Sequence, residues 1–204
     1  MKFRPRVFLF IFLHYLTVTE CKLPSVKTIY DIRKFLWTKG PIWTFMTTGS
    51  THCLCQEDVT QYIDETSILY NHYYLSPGHT RKHIRMSGSF PQKNCMIVHP
   101  YGSSSQVTHK IIYFNPHFKC AVVKVSSMIS PGGTTNMLDL RVWNSSDIAT
   151  SAQQCLAVFR KKTMKGHIVY KNFCQRQLGE RGPSQDQDLL GRQNPHDLVC
   201  RQYG

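Results

Sequence analysis

The stretch from Cys120 to Cys155 constrains this chain more than any other. It holds two β-rich runs, Cys120-Ala121-Val122-Val123-Lys124-Val125 and Leu138-Asp139-Leu140-Arg141-Val142-Trp143, separated by Pro131-Gly132-Gly133. Two such runs about a Pro/Gly turn predict an antiparallel hairpin. The next segment predicts a helix. Ser151 and Gln154 have capping-box spacing, and Ala152, Cys155, Leu156 and Phe159 form one apolar stripe. Arg160, Lys161, Lys162 and Lys165 crowd its C-terminal end, where the helix dipole favours cations. The stripe must face the hairpin, and Cys155 sits on it. A bond between the two cysteines would pin the helix to the hairpin.

Upstream, the pattern is a succession of short strands. Val26, Ile29, Tyr30, Ile32, Arg33, Phe35 and Leu36 recur at a helical period, so Ser25 to Trp37 predicts a short amphipathic helix capped by Ser25 and ended by Gly40-Pro41. Trp43, Phe45 and Thr47 then alternate as a strand would. Further strands are predicted at His52 to Ile63, Ser67 to Leu75, His79 to Phe90, Asn94 to His99 and Val107 to Phe114. Phe118 to Met128 and Asn136 to Trp143 complete eight. Cys53 and Cys55 are expected on one face of theirs, because strand side chains repeat every two residues. Regular short strands joined by short turns argue for a closed antiparallel barrel or a sandwich.

The first residues bear on the compartment. Lys2, Arg4 and Arg6 precede an apolar run from Val7 to Leu16, and Thr17 and Thr19 offer small residues for cleavage. That is the layout of a secretory signal, read here as residues 1–19. The run is about half the roughly 20 residues a membrane span needs. The remaining chain keeps 22 basic residues against 12 acidic ones, which favours anionic partners such as a glycosaminoglycan, an acidic protein face or an anionic small molecule. Nucleic acid conflicts with the secreted address, and no nucleic-acid motif is visible. A soluble, secreted monomer without membrane contact is expected.

Eight cysteines in an oxidising compartment read as disulfides. Cleavage before or after Cys21 leaves eight or seven of them. Cys53-Leu54-Cys55 lacks a second Cys/His pair at zinc spacing, so no metal is expected. From Gln175 to Gly204 the composition turns to Gln, Gly, Arg and Asp with few apolar residues, and residues 175–204 read as a disordered extension. The barrel domain is therefore placed at residues 20–174.

Trp37, Gly40-Pro41-Ile42-Trp43-Thr44 and Cys55-Gln56-Glu57-Asp58-Val59 resemble the N-terminal blocks of the tick salivary lipocalins, the histamine-binding-protein family. Asp139 to Ser146, Cys155 before a basic helix, and Tyr170-Lys171-Asn172-Phe173-Cys174 are similar to its C-terminal blocks. The resemblance runs from about Thr28 to Cys174. It implies an all-β, eight-stranded antiparallel lipocalin barrel with a short N-terminal helix and a C-terminal α-helix packed on it. It also implies two disulfides, Cys55 with Cys174 and Cys120 with Cys155. Cys53 with Cys95 is the further pair we expect.

Family members that bind histamine or serotonin carry Cys-Asp-aliphatic followed by Glu-Leu-aromatic. A cationic amine in a dry pocket needs a carboxylate and aromatic walls. Here the first block is Cys120-Ala121-Val122, without its acid, and the second is Asp139-Leu140-Arg141, with a cation at the aromatic place. The same residues suit an anion: Arg141 with His109 or Lys110 could pair with a fatty-acid or leukotriene carboxylate. Alternatively Arg141 faces solvent or neutralises Asp139. The expected ligand site is Asp139, Arg141, Trp43, Tyr70 and His109, and Trp37, Phe45 and Phe114 join Trp43 and Tyr70 as core filling or pocket wall.

The resemblance implies a secreted protein that sequesters a small host mediator, a biogenic amine or an eicosanoid, and so suppresses inflammation or haemostasis. Two other readings stay open. One is a protein-binding lipocalin that inhibits a host defence protein such as a complement component. The other is a surface for sulfated glycan, for which Arg81-Lys82-His83-Ile84-Arg85 is the densest basic run, or else a solvated strand face. Asn144-Ser145-Ser146 is a sequon expected to carry a glycan. No Gly-x-Ser-x-Gly elbow, His-Glu-x-x-His helix or phosphate-binding glycine loop occurs, so neither an enzyme nor a cofactor is expected.

Overall fold

The computed structural model describes residues 28–129 and 133–179. The signal peptide read at 1–19, the Ser25 cap, the Pro131-Gly132 turn and most of the polar extension lie outside them. The chain opens with α1 (Ile32–Leu36), followed by β1 (Ile42–Thr47), β2 (Leu54–Ile63), β3 (Ser67–Leu75) and β4 (Arg81–Gln92). Then come β5 (Cys95–Pro100), β6 (Val107–Asn115), β7 (Cys120–Ile129) and β8 (Gly133–Trp143). After them stand α2 (Ile148–Lys162), a short β9 (His167–Ile168) and α3 (Cys174–Gly179).

Each strand from β2 to β8 pairs antiparallel with the next, β8 pairs with β1, and β1 returns to β2. The result is a closed eight-stranded meander with a helix packed across β7 and β8. Alternation drives it: on β3, Ile68, Tyr70, His72 and Tyr74 are buried in turn. Gly88 on β4 could not be another residue without movement, since a Cβ there would meet Val98 Cγ1 at 2.6 Å and the Ile97 carbonyl at 2.9 Å.

Two apolar layers result. Inside the barrel lie Ile68, Tyr70, Met86, Met96, Val98, Val107, Ile111, Val123 and Val125. Outside, between barrel and α2, lie Trp43, Cys120, Val122, Leu140, Val142, Ile148, Ala152, Cys155 and Phe159. β7 therefore buries both faces, which is why its sequence is nearly continuously apolar rather than alternating. The Cys120–Cys155 disulfide joins strand and helix across that outer layer.

The seam of the barrel is its weakest closure. β1 and β2 pair only at Ile42↔Asp58 and Trp43↔Glu57 before they splay. The segment after α2 fills the gap: Met46↔Ile168 and Thr47↔His167 pair β9 with β1, and the Cys55 amide donates to the Val169 carbonyl at 3.0 Å. The Cys55–Cys174 disulfide locks this segment to β2.

α1 plugs the end of the barrel that carries the β2–β3 and β4–β5 turns. Ile32, Phe35 and Leu36 are buried, the Ile32 amide donates to the Lys93 carbonyl, and Trp143 Nε1 donates to the Phe35 carbonyl at 2.7 Å.

Several expectations need correction. The N-terminal helix is one and a half turns capped by Asp31, whose carboxylate accepts from the Arg33 amide, and does not run from Ser25. Residues 28–30 are not helical, and Trp37 is 63% exposed, not a core or wall residue. α2 starts at Ile148, three residues before Ser151, with Asp147 accepting from the Thr150 amide. An aspartate cap needs no capping-box partner, so the Ser151–Gln154 spacing misled. Cys53 is in a disulfide, but not with Cys95, which carries a free thiol. Cys53 precedes β2 rather than sharing its face with Cys55, because Cys55 adopts a left-handed φ of 54° and the register slips after Leu54. With both cysteines oxidised, neither is a thiolate ligand for a metal. α3 reaches Gly179, past the Cys174 boundary drawn from composition.

Candidate functional site

Five strands send polar side chains into the barrel interior at one level. β8 contributes Asp139 and Arg141, two residues apart on the inward face, with Leu138, Leu140 and Val142 turned to the outer layer. β2 contributes Asp58, β3 contributes His72, β6 contributes His109 and β1 contributes Thr47. All are buried, Arg141 to 2% exposure.

Arg141 is the hub. Its Nη1 donates to Asp58 Oδ2 at 2.9 Å, and its Nη2 and Nε donate to Asp139 Oδ2 at 2.9 and 3.3 Å. Asp139 Oδ1 accepts from the Thr47 hydroxyl at 2.7 Å, and Asp58 Oδ1 meets His72 Nδ1 at 2.7 Å. The guanidinium fork thus bridges two carboxylates from opposite sides of the barrel seam. This is the geometry for which arginine, unlike lysine, is suited.

Burial opposes ionisation of Asp58, but the His72 hydrogen bond and the Arg141 guanidinium outweigh it and hold Asp58 below the usual carboxylate range. With Asp58 ionised, the proton between the two groups belongs to His72 Nδ1. His109 behaves oppositely. Burial first, and then the Arg141 guanidinium, push its imidazole well below its ordinary range, with Asp58 offsetting only part. His109 is therefore neutral at physiological pH.

A linkage prediction follows. The unfolded chain binds a proton on His109 near pH 6.5, whereas the folded chain does not, so stability is full above about pH 6.5 and falls as pH drops below it. Asp58 adds a loss of the same sign below about pH 4. Urea unfolding across pH 4.5–7.5 should show a declining midpoint, and a shallower decline in H109Q. An equally steep decline in H109Q would place the titration elsewhere.

Of the expected site residues, Asp139, Arg141, His109 and Tyr70 face the interior, Tyr70 lying on β3 between His72 and the α1 plug. Trp43 does not join them. It packs in the outer layer against Tyr170, and its Nε1 donates to Asn144 Oδ1 at 3.0 Å. Asn144 Oδ1 also accepts from Gln175 Nε2 at 2.8 Å, so the sequon asparagine sits in a polar clasp at the rim of that layer. Lys110, weighed as a partner for Arg141, is exposed on the outside. The basic run on β4 is a strand face whose Arg81 and Arg85 stack over Tyr73 and Tyr101, at 4.6 and 5.1 Å from the ring centroids.

Asp58 and His72 were not singled out from the sequence. His72 was legible, since it shares the inward phase of Ile68, Tyr70 and Tyr74. Asp58 was not, because β2 slips register twice, between Leu54 and Glu57 and between Thr60 and Tyr62.

No family model and no curated protein matches the chain. Among solved structures, a dog lipocalin allergen aligns at 12% identity over 72% of this chain and 99% of its own, with a TM-score of 0.48. The siderocalin Ex-FABP aligns at 10% identity over 65% and 93%, with a TM-score of 0.49. A deswapped triple mutant of bovine odorant binding protein aligns at 11% over 63% and 91%, with a TM-score of 0.45. The strand order, the closure through β1 and the helix on β7 and β8 make the assignment. The fold is that of the lipocalins. Among the described residues, no helix is long and apolar enough to cross a membrane.

Proposed function

We propose that this chain is a secreted binding protein that takes up a small organic cation of the biogenic-amine class inside its barrel, and so removes a host mediator. One observation carries the reading: among the described residues, two interior carboxylates, Asp58 and Asp139, share the Arg141 guanidinium. An ammonium group near Asp58 would add a cation to this cluster, with Tyr70 and Tyr74, which flank His72 on β3, as aromatic neighbours.

The acid that Ala121 fails to supply is thus replaced from β2. An eicosanoid carboxylate fits less well, because all three nitrogens of the Arg141 guanidinium group already donate to aspartates. The disulfides at Cys55–Cys174 and Cys120–Cys155 suit an oxidising, extracellular address.

Calorimetric titration tests the reading. Histamine or serotonin should bind at about micromolar Kd. D58N should weaken that binding about 10- to 100-fold, the worth of a charge-assisted hydrogen bond. No heat with either amine up to millimolar concentration, or binding unchanged in D58N, would overturn the proposal.

A further inference from the structure

The outer face of β6, β7 and β8 carries a second feature, unrelated to the interior cluster. A groove of about 730 Å³ runs there, bordered by the end of α2 and by Ile29, with Lys110, Lys124 and Lys162 on its walls and Ile112 and Leu138 on its floor. That volume lies within the range of small-ligand pockets.

Two physical features of this groove call for an anion. Lys110 and Lys124 stand directly opposite each other on β6 and β7, and both are exposed. Like charges in directly opposed cross-strand positions are destabilising. Among the described residues, none of the three lysines has a carboxylate within ion-pair distance. The negative end of the α2 dipole, roughly half a charge, is outweighed by the three ammonium groups around it. Next to the cations lie apolar surfaces that water wets poorly: Ile29 is 62% exposed, and Ile112 and Leu138 are only partly covered by the outer layer.

We infer that this groove is a binding site for a free amphipathic anion, a long-chain carboxylate. Its head group would lie between Lys110 and Lys124, with Lys162 completing the cationic wall, and its alkyl chain would cover Ile112 and Leu138. The carboxylate relieves the cross-strand repulsion, and the chain buries apolar surface at about 25 cal/mol per Å². A sulfated polymer would satisfy the lysines but leave the apolar floor exposed, and the barrel wall separates this site from the Arg141 cluster.

The test uses the full-length chain, sodium dodecanoate, and dodecyltrimethylammonium as a cationic control of equal chain length. Dodecanoate should bind and the ammonium compound should not. K110Q/K124Q/K162Q should weaken dodecanoate binding by at least about tenfold with a melting temperature at or above that of the wild type, since all three side chains are exposed and the cross-strand repulsion is removed. Histamine titration of the same variant should be unchanged, which keeps this inference separate from the interior one. Equal binding of the two surfactants would overturn it. So would unchanged dodecanoate affinity in the triple variant, or retention on heparin or anionic vesicles without dodecanoate binding.

Discussion

Arg141→Met should cost about 3–5 kcal/mol of stability, the largest effect expected of any single substitution in this barrel. The side chain is buried and holds two carboxylates that are themselves buried, Asp58 and Asp139. Removing the guanidinium leaves both charges facing each other in a medium that solvates neither. Without the guanidinium that lowers it, the Asp58 pKa must rise in the folded variant, so the folded state takes up a proton that the unfolded chain releases. The sign then reverses relative to the wild type: R141M should regain stability as pH falls toward about 4, where the carboxylates protonate. Urea midpoints at pH 7.5 and 4.5 read both effects. If R141M does not fold at neutral pH, D58N/D139N/R141M answers the same question, because the charges leave together. That variant should recover most of the loss, as apolar or neutral replacement of a whole buried ion cluster is often neutral or stabilising. A neutral R141M with no pH reversal would show that the cluster is hydrated rather than sealed.

Loss of the Cys55–Cys174 disulfide should be at least as severe. Its sequence separation of 119 residues gives a chain-entropy contribution of about 5 kcal/mol, against about 4 for the 35 residues between Cys120 and Cys155. The difference in consequence is larger than the difference in entropy. Cys120–Cys155 holds a helix onto a barrel that is already closed, whereas Cys55–Cys174 holds the segment that bridges β1 and β2 where they no longer pair. C55A/C174A should therefore lower the melting temperature by roughly 10–20 °C, at 2–4 °C per kcal/mol for a chain of this size. It should also expose the amides of Cys55 and Val169 to hydrogen exchange before global unfolding. C120A/C155A should leave those amides protected. If both double variants lost protection at the seam equally, the disulfide would not be its lock.

The barrel was legible in the sequence because β3, β5 and the first half of β6 alternate, β3 without a slip. The Cys120–Val125 run was legible for the opposite reason: a strand apolar on both faces must be covered twice, and α2 supplies the second cover. What escaped was the polar content of the barrel. Asp139 and Arg141 could be seen to share a face, but whether that face was wet or dry depended on β2, whose two register slips hide the phase of Asp58. Trp43 escaped for a related reason. β1 is buried on both sides, so burial could not tell the interior from the outer layer, and the register shift between Thr44 and Met46 removes the remaining guide. The helix starts were misjudged because two aspartates act as the caps: Asp31, which lies inside the periodic stretch, and Asp147, which precedes the apolar stripe.

The thiol of Cys95 has a consequence for how such a chain survives its own oxidation. Eight cysteines admit 105 complete pairings, and a stray thiolate is the catalyst that scrambles a correct one into the others. Exchange requires the anion, and in the folded barrel half-burial pushes the Cys95 thiol up, with the Lys110 ammonium opposite it offsetting only part. Folding thus makes the thiolate scarcer: once β5 docks between β4 and β6, the Cys95 sulfur is a weaker threat to the finished disulfides than it is in the open chain.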